Sequence, residues 1–193
     1  MSIDLSKYKK SKKTNALPKF ETTSIGDRPA RIQNLSQFND KDLYYTYYTF
    51  DKGVSGYVER KEAHDSNDGK KKFIPYSLTV DGKWVMQAWP KNRTLYNEYL
   101  LKSHPDKPVA IHEGEKAADY GQKHLTKYNN ITFQGGSKAA GLSNYEYLKD
   151  KDVTLFPDND EDGIRAMAHV AKILIEKEIT HNIKIVDVTD LPD

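Results

Sequence analysis

The second half of the chain alternates short apolar runs with amphipathic stretches, and that alternation restricts the fold more than any other feature of the sequence. Val109, Ala110, Ile111 and His112 predict a strand, and a helix over 115–125 follows with Ala117, Ala118, Gly121 and Leu125 on one face. Ile131, Thr132 and Phe133 predict a second strand. Ser143 then reads as the N-cap of a short helix reaching Leu148. Val153, Thr154, Leu155 and Phe156 form a third strand, and Ile164, Met167, Ala168, Ala171, Leu174 and Ile175 line one face of a longer helix. Residues 183–186 supply a fourth strand. Strands alternating with helices need crossover connections, so the expected fold is α/β, a largely parallel sheet flanked by helices.

The segment before it has a different grammar. From Leu43 to Trp89, Tyr, Thr, Val and Trp cluster in short runs broken by turn residues, the pattern of strands. The tyrosine-rich run ending at Phe50 leads through Asp51, Lys52 and Gly53 into a second run from Gly56 to Arg60. A further pair, 72–80 and 83–89, flanks Asp81-Gly82, a two-residue hairpin signal. Between the pairs, 64–72 is polar and predicts an exposed loop. A smaller strand-rich α+β subdomain over 29–105 therefore precedes the α/β domain of 106–193. The first 28 residues carry Lys7, Lys9, Lys10, Lys12, Lys13, Lys19 and Arg28 against Asp4, Glu21 and Asp27, and read as a basic flexible arm. Such an arm serves either solubility or phosphate contact.

Composition removes several chemistries. The chain has no cysteine, so it holds no disulfide, thiolate zinc site, Cys nucleophile or iron–sulfur cluster. Its formal charge is only +2 in 193 residues, so bulk charge does not argue for nucleic acid. No apolar run approaches the roughly 20 residues of a spanning helix, and the start lacks a signal peptide's apolar stretch. The expected location is cytoplasmic, away from membranes.

Sites in parallel sheets form beyond the carboxyl ends of the strands. Three such ends carry chemistry here: His112-Glu113-Gly114-Glu115-Lys116, Gln134-Gly135-Gly136-Ser137-Lys138, and Pro157-Asp158-Asn159-Asp160-Glu161-Asp162-Gly163. Carboxylates in two loops and glycines with a lysine in the third suit a divalent cation and phosphate. Asp158 and Asp160 stand two apart in one loop, with Glu113 approaching from the neighbouring strand. The alternative is that Asp160 and Asp162 are helix caps, since acids at helix starts are favoured by the dipole alone.

The ordered set of motifs, a strand ending in Glu113-Gly114, a glycine loop after the next strand, and a strand ending in Asp158-Asn159-Asp160-Glu161-Asp162-Gly163, resembles the Toprim domain of primases, topoisomerases and certain nucleases. The wording is most similar to primases and primase-helicases of phages and mobile elements, over about residues 108–188. The resemblance implies that Glu113 acts as general acid/base and metal ligand, and that Asp158 and Asp160 hold Mg²⁺ or Mn²⁺. Glu115, Glu161 and Asp162 match no invariant acid of the family and read as supporting or surface residues. Gly114, Lys116, Gly135, Gly136, Lys138 and Arg165 are candidates for phosphate or nucleic-acid contact. Trp84, Trp89 and the tyrosines of 44–48 read as core packing, with base stacking as the alternative. Two departures stand out: no cysteine zinc module and no helicase phosphate loop are present.

The order of a strand-rich basic segment before Toprim is that of a primase core. It implies a nucleotidyltransferase joining nucleoside triphosphates on a single-stranded DNA template, with a replicative or fused helicase as partner. A Toprim nuclease and a non-catalytic nucleic-acid-binding module of a larger primase-helicase are the rival readings.

Overall fold

Alternation of tyrosines decides the first sheet. In β1 (Leu43–Tyr48) Tyr45 and Tyr47 are buried, while Tyr44, Thr46 and Tyr48 are half-buried. In this computed structural model, residues 43–188 are described apart from 67, 79–83 and 90, so the basic arm, part of the 29–105 segment and the Asp81-Gly82 turn lie outside the described residues. β1 pairs antiparallel with β2 (Val54–Lys61) through a turn in which Lys52 takes φ of 66° and donates its N–H to Thr49 O at 2.8 Å. β2 pairs with β3 (Lys72–Leu78), and β3 with the two-residue β4 (Trp84–Val85), in the order β1-β2-β3-β4. Trp89 lies over Gly56, where a Cβ would fall inside the indole ring, and its Nε1–H donates to Ser55 O at 3.1 Å. Trp89 is thus a core residue, as are Tyr45 and Tyr47.

A connecting stretch with the short α1 (Leu100–Ser103) leads to the second sheet. It comprises β5 (Val109–His112), β6 (Asn129–Thr132), β7 (Val153–Phe156) and β8 (Ile183–Ile185), all parallel and ordered β6-β5-β7-β8. α2 (Glu115–His124) links β5 to β6 and α3 (Glu161–Glu176) links β7 to β8. The two crossovers run to opposite sides of β5–β7, so right-handedness sends the helices to opposite faces. The main core joins Ile111, Ile131 and Leu155 of the sheet to Met167, Val170 and Leu174 of α3. A second cluster puts Ala118 of α2 against Tyr45, Tyr47, Val58, Trp89 and Tyr96. The antiparallel sheet therefore packs on α2.

The structure corrects three local expectations. β6 begins at Asn129 and ends at Thr132, not at 131–133: Asn129 Nδ2 donates to His104 O at 2.8 Å, and Asn130 Nδ2 donates to Leu125 O and Tyr128 O, each at 3.1 Å, which satisfies the amide nitrogens of two residues that strands ordinarily reject. Ser143 caps no helix. It follows a 3₁₀ segment, Ser137–Leu142, and bridges to Arg93, while Asn144 Oδ1 accepts the Glu146 N–H at the start of the 3₁₀ turn Glu146–Leu148. On α3, Ile175 is 46% exposed, so the apolar face ends at Leu174.

Candidate active site

Strand order creates the site. From β5 the chain crosses to β6 on one side and returns to β7 on the other, which leaves a crevice beyond the carboxyl ends of β5 and β7. His112 and Phe156 are the last paired residues, so Glu113 and Pro157 leave the sheet side by side. The Asp158 N–H donates to Glu113 Oε2 at 3.3 Å, and Gly163 lies beneath them. A Cβ at Gly163 would strike Glu113 Oε2 and stand 2.8 Å from Asp158 N, so only glycine leaves room for this carboxylate. Gly163 closes the acidic motif in the sequence, and this close approach is its role.

Asp160 has two aspects. It is the N-cap of α3, its Oδ1 accepting the Gly163 N–H at 2.7 Å, as the capping alternative required. Its charge also reaches the crevice: Asp158 is raised above the usual carboxylate value by desolvation and then by Asp160. Glu113 is raised too, first by burial and then by the charges of Asp158, Asp160 and Asp162. His112, buried and stacked on Phe156 at 5.0 Å, shares a 2.8 Å hydrogen bond with Asn130 and is held below its usual value by burial. Among the described residues no three acidic or imidazole side chains close into a metal cage. The set instead fits a hydrated hard cation that takes one or two carboxylates and completes its shell with water and phosphate oxygens. Neither the Glu113 nor the Asp160 hydrogen bond uses the whole carboxylate, and the cradle at Gly163 keeps Glu113 in place.

The remaining candidates divide. Gly135 and Gly136 take φ of 92° and 68°, the left-handed region that glycine tolerates, and form the turn after β6. Gly114 is the extended N-cap of α2, open to solvent on its Cβ side. Lys116 and Lys138 are exposed. Lys116 lines a cleft of about 860 Å³ that runs along α2 from Asp158 and His112 toward His124. Arg165 is turned away from this edge chemistry by its own helix, bonding Glu161 Oε2 at 2.7 Å with Asp162 Oδ1 at 3.5 Å. Glu161 and Asp162 are exposed, as expected, but Glu115 is no surface residue: it is buried and accepts the Tyr47 hydroxyl proton at 2.6 Å. Burial raises Glu115, and the Tyr47 bond opposes that rise.

Two polar residues stand near Glu113: Arg93, which the sequence does not mark, and Gln134, which opens the glycine loop without an assigned role. Arg93 and Gln134 are buried and line a smaller cavity of about 300 Å³ together with Glu113, Gly114 and Gly135. No local signal announced Arg93, because its setting is built by Ser143 and by the antiparallel sheet.

Residues 39–159 match the model of a family described as Domain of unknown function (DUF6371). The chain belongs to this family. No curated protein matches the DUF6371 chain. Among solved structures it is similar to the E. coli primase catalytic core, with TM-score 0.53 and 18% identity over 86% of this chain and 55% of that one. The primase fragment of the bacteriophage T7 primase-helicase gives TM-score 0.50 and 18% identity over 77% and 55%. A DnaG catalytic core gives the same score and identity over 79% and 46%. The DUF6371 chain spans about half the length of these structures. Its fold is that of a primase catalytic core, a Toprim-like parallel sheet joined to an antiparallel one. Among the described residues no helix is long and apolar enough to cross a membrane.

Proposed function

We propose that this DUF6371 chain is the catalytic part of a primase of phage or mobile-element type, its parallel half a Toprim domain, making primers from nucleoside triphosphates on single-stranded DNA in the cytoplasm. One observation carries the reading: in a primase-core fold, Glu113 and Asp158 meet at the switch point of the parallel sheet, with Asp160 coupled to them electrostatically. Mg²⁺ or Mn²⁺ held by Asp158, Asp160 and Glu113 would offset charge developing on the transferred phosphoryl group. Glu113, already raised by burial and three acidic neighbours, is suited to accept a proton from the attacking hydroxyl. Gly135 and Gly136 bring backbone close to a phosphate, and Lys116 lies along the cleft as a backbone contact for template. Lys138 is a second exposed phosphate contact; Arg165 enters only by leaving its helix acids. A helicase, fused or separate, is the expected partner.

The test is incubation with single-stranded DNA, Mg²⁺ or Mn²⁺ and labelled nucleotides, scoring both new products and template loss. The expected result is metal-dependent product that disappears in Asp158→Asn. Template loss without product would replace this reading with a nuclease, and neither activity would leave a binding module.

A further inference from the structure

Arg93 carries a charge that nothing among the described residues neutralises. It is 8% exposed, yet among the described residues no carboxylate pairs with it, and its Nε has no partner. Its Nη1–H reaches only the Gln134 carbonyl oxygen, at a long 3.4 Å. Gln134 is 2% exposed, and among the described residues neither its amide oxygen nor its amide nitrogen is bonded. A buried guanidinium without a counter-charge and a buried amide with both functions unmet each cost stability, and such costs persist where a ligand meets the groups.

Both residues line the cavity of about 300 Å³ beside Glu113. Its opposite wall is apolar, made by Val58, Phe73 and Pro75 of the antiparallel sheet, and Phe73 is half exposed although large and apolar. Gly135 allows the turn to lie on the guanidinium, since a Cβ there would stand 3.0 Å from Arg93 Nη1. The acids of the cavity are partly engaged: Glu115 accepts from the Tyr47 hydroxyl and Glu113 from the Asp158 N–H. Beside its two partly engaged carboxylates, the cavity thus offers one cation, one donor–acceptor amide and one apolar wall. That combination matches a nucleotide's phosphate, sugar hydroxyl and base.

We infer that this cavity is a ribonucleotide subsite in which Arg93 takes the phosphate and Gln134 reads the 2′-hydroxyl. The choice of a nucleotide rests on the primase reading, and Glu113 of the acidic edge lines the same cavity. Gln134 is then a specificity-determining residue. The 2′-hydroxyl both donates and accepts, which answers the amide's two unmet functions, and a deoxyribose leaves them unpaired.

The probes are AMP and 2′-deoxy-AMP, titrated calorimetrically into the intact chain with chelator present. AMP binds and exceeds 2′-deoxy-AMP by at least about tenfold. Gln134→Leu, which removes the buried unmet amide, keeps or raises the melting temperature while erasing that preference. Arg93→Lys, which keeps charge but loses the planar fork, weakens both ligands. A failed primer assay in the wild-type chain with AMP binding preserved rejects the primase reading alone. Absence of AMP binding, equal binding of the two nucleotides, or a preference that survives Gln134→Leu in a folded protein overturns the inference.

Discussion

Glu98 makes the stability of this protein depend on pH in a way that a single substitution isolates. Its carboxylate is buried between the two halves of the molecule: Oε1 accepts the Phe50 N–H from the β1–β2 turn at 3.0 Å, and Oε2 accepts the Leu95 N–H at 3.1 Å. Burial outweighs both bonds and raises the carboxyl from 4.5 to about 7. Because the folded value lies above the unfolded one, the associated stability is fully present below about pH 4.5 and is lost as pH rises toward about 7. At about 1.4 kcal/mol per pH unit, the gap amounts to about 3 kcal/mol. Glu98→Gln cannot ionise, but it offers one oxygen where the fold uses two, so it should cost about 1–3 kcal/mol at low pH for the N–H left unpaired. The difference between wild type and variant should then move by about 3 kcal/mol in the variant's favour between pH 4 and pH 8. Urea denaturation of both proteins across that range measures it, and the subtraction cancels every other titrating group. Parallel stability curves would show that Glu98 ionises in the fold at its ordinary value, and the argument from burial would fail.

Other outcomes follow from close contacts elsewhere. Gly163→Ala places a methyl on Glu113 Oε2 and near the Asp158 backbone; it should destabilise by about 1–3 kcal/mol and, on the primase reading, reduce metal-dependent product more than nucleotide affinity, as a denaturation curve beside the primer assay will show. Tyr47→Phe removes the 2.6 Å bond to Glu115 and should cost about 1–3 kcal/mol at alkaline pH and less in acid, where burial holds Glu115 neutral; equal losses at both ends would refute this. If the amino-terminal lysines contact phosphates, deletion of residues 1–20 should flatten the salt dependence of single-stranded DNA binding, and an unchanged slope assigns them to solubility.

How much of this was legible in the sequence depended on the range of the interactions. The parallel strands could be placed because Val109–His112 and Val153–Phe156 are short, β-branched or apolar, and bounded by turn residues, all of it local information. β6 was misplaced by two residues because Asn129 and Asn130 belong in a strand only when His104, Leu125 and Tyr128 accept their amides. Of the two readings of Glu115, supporting or surface, its burial under a tyrosine 68 residues earlier removes only the surface one. The meeting of Glu113 with Asp158 was foreseeable, since parallel neighbours end on the same edge. Arg93 and Gln134 were not, because a wall from the antiparallel sheet makes their cavity and nothing in the surrounding residues specifies which way that sheet packs.

The cap at the start of α3 bears on how relatives of this chain should be read. Asp160 closes the first turn of a 16-residue helix through Gly163, so a member that had lost all phosphoryl chemistry would still be selected to keep an acid, Asn, Ser or Thr there. Asp158 caps nothing, and its carboxyl is raised by desolvation and then by its neighbour's charge. Once freed from any cation it should drift to a neutral residue. On the primase reading, position 158 is therefore the discriminating one within the DUF6371 family: an aspartate retained there beside Asp160 would mark a working edge, and its replacement beside an intact Asp160 a scaffold that has kept its helix and surrendered its chemistry.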